Sequence, residues 1–143
     1  MSGILLALVA AALPTGAVSA RDGVDANQDR VAIRQAALDY AEGYYEGSAE
    51  RVARAVHPAL LKRGLLPPGA PDRFLELMNA ETLIDLAALG SGQLPAAGRH
   101  LDFALLDLRD DVASARIFTQ QFNDYLLLAK QDGQWRLVNM LSR

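Results

Sequence analysis

Cysteine is absent from this 143-residue chain. That removes disulfides, thiolate nucleophiles and cysteine-built zinc sites. It leaves the compartment open, because exported proteins with a large enough core do without disulfides. Histidine is scarce: His57 and His100 are the only two, far apart in sequence, and no aspartate cluster has calcium-loop spacing. No metal or other cofactor is expected. Basic blocks are missing, since 14 Lys and Arg are interspersed with 17 Asp and Glu for a net charge of −3. Such a surface has no electrostatic footprint for nucleic acid or an anionic membrane, and no nucleic-acid partner is expected. Gly90-Ser91-Gly92 follows a helical segment rather than preceding one, so it reads as a helix stop and not a phosphate loop. No serine sits in a nucleophile elbow.

Long apolar runs are also lacking, except near the start. Ile4 to Leu13 is apolar, but a membrane-spanning helix needs about 20 such residues. Pro14 and Gly16 break the run, Val18-Ser19-Ala20 offers small residues at a cleavage point, and Arg21 and Asp22 follow. This is the anatomy of a secretory signal peptide. The expected organisation is a signal peptide over 1–20, a polar flexible lead-in over 21–28, and one domain over 29–143. The mature protein would be periplasmic or secreted, with no membrane association after cleavage. The alternative is an N-terminal helix buried in the domain.

Within the domain, Asn27 or Asp29 can cap a helix beginning near Arg30. Ile33, Ala37, Tyr40 and Tyr44, with Ala36 and Ala41 beside them, have the spacing of a helix buried along one side. Gly47 stops it and Ser48 caps a second helix carrying Val52, Ala55 and Val56, which ends before Pro58. Ala59 to Arg63 suits a short strand, residues 64–71 a Pro/Gly-rich loop, and Arg73 to Met78 another short strand or turn. Asn79 is a cap for a third helix, Ala80 to Leu89. The remainder alternates with the period of β-strands: His100 to Leu108, Val112 to Gln121, Asp124 to Lys130 and Trp135 to Leu141. Arg109-Asp110-Asp111, Asn123-Asp124 and Asp132-Gly133 are the turn signals between them. Helices followed by an antiparallel meander is an α+β order. The turns are too short for the crossovers of a doubly wound parallel sheet.

Residues 36–65, AALDYAEGYYEGSAERVARAVHPALLKRGL, resemble the helix-helix-strand opening of the SnoaL-like, nuclear-transport-factor-like superfamily. LLDLRDDVASARI and FNDYLLLAKQDGQWRLVNML resemble its terminal strands. The nearest group is the one labelled "Putative lumazine-binding", and the resemblance runs from about Asp29 to Leu141. It implies a cone-shaped, curved antiparallel sheet with N-terminal helices packed on its concave face, an apolar pocket between the long first helix and the sheet, and homodimers paired through the sheet. It supplies no universal catalytic motif. The superfamily holds isomerases, cyclases and dehydratases beside binding and scaffold members, so fold does not choose among them.

Candidate site residues follow from chemistry and placement. Tyr40 and Tyr44, one turn apart, can line a pocket and orient a ring or carbonyl, or can simply be core. His57 can act as a general base at the cone rim, or hydrogen-bond backbone at a helix end. Gln121 and Asn139, late in their strands, are candidate pocket amides. A strand carboxylate aimed into the cone would have a raised pKa, the pattern of ketosteroid isomerase. Asp102 and Asp107 read as solvent-side, and Asp124 as a turn residue. The leading expectation is a binder of a small apolar or aromatic ligand without assigned catalysis, acting as a homodimer. The alternatives are an acid–base isomerase or dehydratase using His57 with Tyr40 or Tyr44, and a dimeric interaction module working through an exposed sheet face.

Overall fold

The computed structural model describes residues 20–65, 69 and 74–143. The expected signal peptide, up to its last residue, and most of the Pro/Gly-rich stretch lie outside the described residues. Helix α1 spans Ala20–Glu46 and α2 spans Ala49–Ala55. Strand β1 (Val56–Leu65) and β2 (Phe74–Asn79) precede α3 (Ala80–Ala88). After a 3-10 turn, Ala96–Gly98, come β3 (Leu101–Arg109), β4 (Val112–Thr119), β5 (Asn123–Gln131) and β6 (Gln134–Ser142).

The expected helix signals act where the sequence puts them. Gly47, with φ of +72°, ends α1 in the left-handed conformation. The Ser48 hydroxyl accepts from the Arg51 amide at 3.3 Å, and the Asn79 side chain accepts from the Thr82 amide at 2.9 Å. Asp132 and Gly133, both at positive φ, make the tight turn between β5 and β6. Helix α1, however, starts at Ala20, so 21–28 is helical rather than a flexible lead-in. Asp29 is therefore not a cap. It lies inside α1 and accepts hydrogen bonds from Lys130 Nζ at 2.7 Å and Trp135 Nε1 at 2.8 Å, tying the helix to the β5–β6 hairpin.

The sheet has the order β2-β1-β6-β5-β4-β3. All pairings are antiparallel except β1 with β6, which run parallel. The sheet is thus mixed rather than wholly antiparallel. A parallel pair needs a long connection, and here α3 and four strands intervene between β1 and β6. The helices cover one face of this curved, unclosed sheet. Ile33, Ala37, Tyr40, Ala41 and Tyr45 from α1, Val52 from α2 and Leu83 and Ala87 from α3 meet Leu60, Ala115, Ile117, Leu126, Leu128, Leu137 and Met140 in one buried core. Burying apolar area at about 25 cal/mol per Å² drives the assembly. Tyr44 is only partly buried: its ring lies against Gly92, where an added Cβ would stand 2.1 Å from the ring carbons. Glycine at 92 is what lets the loop backbone close over that tyrosine.

Two β-bulges re-aim side chains. The β5–β6 ladder pairs Leu127 with Asn139 but Leu128 with Leu137, leaving Val138 as the extra residue. The alternation slips there, so Leu137 and Met140 both point into the core. A second bulge at Leu106 lets both Leu105 and Leu108 pack on the core.

Candidate functional site

Counting back along β5 from buried Leu128 and Leu126 brings Asp124 onto the same helix-covered face, since side chains repeat every two residues. Asp124 is fully buried. In the register, Asp124 stands opposite Ser142 of β6, and Lys62 of β1 pairs with Met140 two residues earlier. Three adjacent strands therefore aim a carboxylate, a hydroxyl and an ammonium at one spot beneath α1. Tyr40 comes down from the helix to complete it.

The geometry is that of a closed polar cluster. Tyr40 Oη donates to Asp124 Oδ2 at 2.5 Å and accepts from Lys62 Nζ at 2.7 Å. Lys62 Nζ also donates to Asp124 Oδ2 at 3.0 Å, as a buried ion pair. The Ser142 hydroxyl donates to Asp124 Oδ1. Burial above all, and then the charge and hydrogen bond of Asp124, push the Tyr40 phenol well above its ordinary pKa. Tyr40 is therefore a neutral donor at any physiological pH.

Aromatic rings wall the cluster. Phe122 stacks on Tyr45 (centroids 5.8 Å, planes 29° apart), tilts over Tyr40 (5.9 Å) and meets Tyr44 edge-on (6.4 Å). Lys62 Nζ lies 5.3 Å from the ring centroids of both Tyr40 and Phe122. Among the described residues the buried Tyr45 hydroxyl makes no hydrogen bond of good geometry, although the Thr119 side chain is close enough to act on it. Beside it, Thr119 Oγ1 is already committed, donating to the Phe122 carbonyl and accepting from the Gln121 and Phe122 amides. An under-satisfied buried hydroxyl is costly and marks a place where a partner is wanted.

The other expected site residues lie elsewhere. His57 is the second residue of β1, at the far end of the sheet. Its Nδ1 accepts from the Ala59 amide at 3.0 Å, which leaves Nε2 to donate to Gln131 Oε1 at 3.0 Å. Gln131 and Asp124 stand at opposite ends of β5, about 23 Å apart at 3.3 Å per residue. His57 and Tyr40 therefore do not converge. Gln121 is exposed on the β4–β5 turn. Asn139 is turned by the bulge to the open face, where it lines a hollow of about 400 Å³ with Arg63, Leu106, Tyr125, Leu127 and Leu141. Asp102 and Asp107 are exposed, Asp102 beside His100. Asp124, expected in a turn, is instead a strand residue and the inward carboxylate. Asn123-Asp124 mimics a turn signal, while the real turn, 120–122, is organised by Thr119. Lys62 and Ser142 were likewise unmarked, although Lys62 follows Leu60 at strand spacing. Among the described residues no group of three or more histidine, aspartate or glutamate side chains could hold a metal ion. No helix among them is long and apolar enough to cross a membrane.

Comparison with known structures places this architecture. An NTF2-like protein of unknown function from Silicibacter pomeroyi superposes with a TM-score of 0.66 at 16% identity, covering 82% of this chain and 97% of that one. One from Shewanella baltica gives 0.64 at 22% identity, covering 82% and 94%. An NTF2-like protein with a cystatin-like fold from Novosphingobium aromaticivorans gives 0.61 at 16%, covering 89% and 90%. At these identities the likeness establishes the fold. No curated protein matches the sequence. The model of the family described as "Putative lumazine-binding" matches residues 28–141, from the first third of α1 to the last residue but one of β6. With the helix-covered sheet and the matched span in agreement, the chain belongs to the "Putative lumazine-binding" family and carries its NTF2-like fold.

Proposed function

We propose that the protein binds a small molecule at the polar end of the cone, where Lys62, Tyr40 and Asp124 meet beneath Phe122 and Tyr45. The observation that carries this is the buried charged cluster itself. Desolvating an ammonium and a carboxylate costs several kcal/mol and contributes little to stability compared with apolar packing. Such groups, ringed by aromatic faces and next to an under-satisfied hydroxyl, are the convergent polar contacts of a ligand site. The family description names lumazine, a flat heteroaromatic molecule, and that ligand comes first in any test.

Binding is favoured over acid–base catalysis. A general base needs a free lone pair near the substrate, whereas three of the roughly four acceptor sites of the Asp124 carboxylate are taken and one oxygen faces an ammonium. The pairing of His57 with Tyr40 or Tyr44 has no geometric support. Titration of the protein with lumazine by calorimetry tests the site. Tyr40→Phe, which keeps the ring and removes the hydroxyl that joins Lys62 to Asp124, should weaken binding about tenfold. His57→Ala should leave it unchanged. Lumazine affinity indifferent to Tyr40 and sensitive to His57 would move the site to the other end of the sheet.

The open face supports homodimer formation. Leu61, Leu106, Phe118, Tyr125, Leu127 and Leu141, from five neighbouring strands, are each more than a third exposed there. A contiguous apolar surface of this kind marks an interaction site. Export is proposed from the N-terminal apolar run and the small residues before Arg21. N-terminal sequencing of material recovered from outside the cytoplasm should read from near Arg21; recovery only of cytoplasmic, uncleaved chain would exclude export.

A further inference from the structure

We infer that Phe122 occupies the seat of the ligand's ring, and that the ligand is a flat aromatic or heteroaromatic molecule whose edge carbonyl is taken by Lys62. This builds on the ligand seat proposed above and specifies its occupant. Phe122 is half-buried on the turn between β4 and β5, outside either strand. Its backbone is pinned: the amide donates to Thr119 Oγ1 at 3.0 Å, and the carbonyl accepts from the Thr119 amide at 2.9 Å. The ring can therefore leave by side-chain rotation alone, without unpicking the hairpin, and rotamer changes at partly exposed positions are fast.

What the ring would vacate is shaped for another ring. Tyr45 offers a stacking face, Tyr40 a tilted one and Tyr44 an edge, the offset arrangements that aromatic pairs prefer. The Lys62 ammonium has three N–H groups. Tyr40 Oη and Asp124 Oδ2 take two of them, and the remaining contacts among the described residues are the faces of Tyr40 and Phe122. A carbonyl oxygen on an incoming ring would replace that cation–π contact by a charge-assisted hydrogen bond, which is stronger in a desolvated site. A carboxylate suits the place less well, because Asp124 lies against the same ammonium. The buried Tyr45 hydroxyl supplies a second donor beside the seat.

Calorimetric titration with coumarin, a flat bicycle with one carbonyl, and with naphthalene, a similar bicycle with none, tests this. If the plug fills the seat about nine-tenths of the time, removing it raises apparent affinity about tenfold. Phe122→Ala should thus bind coumarin about tenfold more tightly than wild type. Phe122→Leu, which keeps an apolar contact and loses the ring, should lie between. Coumarin should be preferred to naphthalene by about tenfold through its hydrogen bond, and the Lys62→Met/Asp124→Leu pair should erase that preference. A folded Phe122→Ala that binds coumarin no better than wild type overturns the inference, and should that variant not fold, Phe122→Leu decides in the same way. Equal affinity for coumarin and naphthalene overturns the role of Lys62. If wild type binds coumarin, Tyr40→Phe weakens it and the Phe122 variants gain nothing, the cone is a ligand site and the plug is wrong. If no variant binds either probe, both the seat and the plug are wrong.

Discussion

Asp124 shows how much one side chain can carry in this protein. Its carboxylate is wholly buried, holds Tyr40 and Lys62 on one oxygen and Ser142 on the other, and links α1 to three strands. Removing one member of a buried pair strands the other charge, whereas removing both does not. Asp124→Ala should therefore lower unfolding stability by about 3–5 kcal/mol, while Lys62→Met/Asp124→Leu should recover most of that loss. Urea unfolding followed by circular dichroism measures both. A single variant no less stable than the double would mean that the pair is solvated. Asp124 was legible by strand alternation from Leu126 and Leu128, but the adjoining Asn123 made it look like a turn residue. The turn chemistry competed with the periodicity, and only the Thr119-organised loop at 120–122 settles which prevails.

Between elements, the contact of α1 with the β5–β6 hairpin depends on Asp29. Burial raises its pKa, but the hydrogen bonds from Lys130 and Trp135 and the Lys130 charge outweigh this, and the net value falls below the ordinary 3.8. The sign follows from linkage. A carboxylate with a depressed folded pKa contributes stability that is present above its unfolded pKa and is lost as pH falls through the folded one. Asp29→Asn should cost about 1 kcal/mol near neutral pH, allowing for solvent screening at the half-exposed Lys130. The difference from wild type should shrink below about pH 4. Thermal melts from pH 7 to pH 2 would show it, and a pH-independent gap would assign the cost to lost packing instead. The same helix is stapled to α2 by Arg51, which reaches Asp39, Glu42 and Glu46 at 2.6–3.0 Å. Burial opposes that guanidinium's charge, but the three carboxylates outweigh it and raise its pKa.

For the whole molecule, the two faces of the sheet divide the work. The covered face holds the core and the polar cluster, and the open face is left apolar, with Leu127 and Tyr125 about half exposed. If the open face joins two copies, Leu127→Glu should turn a dimer into a monomer in sedimentation velocity with little change in the monomer's stability, since Leu127 is half exposed on the open face and outside the core. A wild-type protein that stays monomeric at high concentration would sink the dimer.

Local sequence by itself determined the elements: the caps Ser48 and Asn79, the stops at Gly47 and Gly90, the Asp-Gly hairpin and the alternating strands are short-range effects, decided within a few residues. It also determined the family, through the order of those pieces. Tertiary structure alone decided the parallel pairing of β1 with β6, the bulge at Val138 that sends Asn139 to the open face and Met140 to the core, and the meeting of Tyr40, Lys62, Asp124 and Ser142. Those residues are as many as 102 positions apart in the chain. Their encounter depends on strand register and on which face each side chain takes, and a single inserted residue reverses the face.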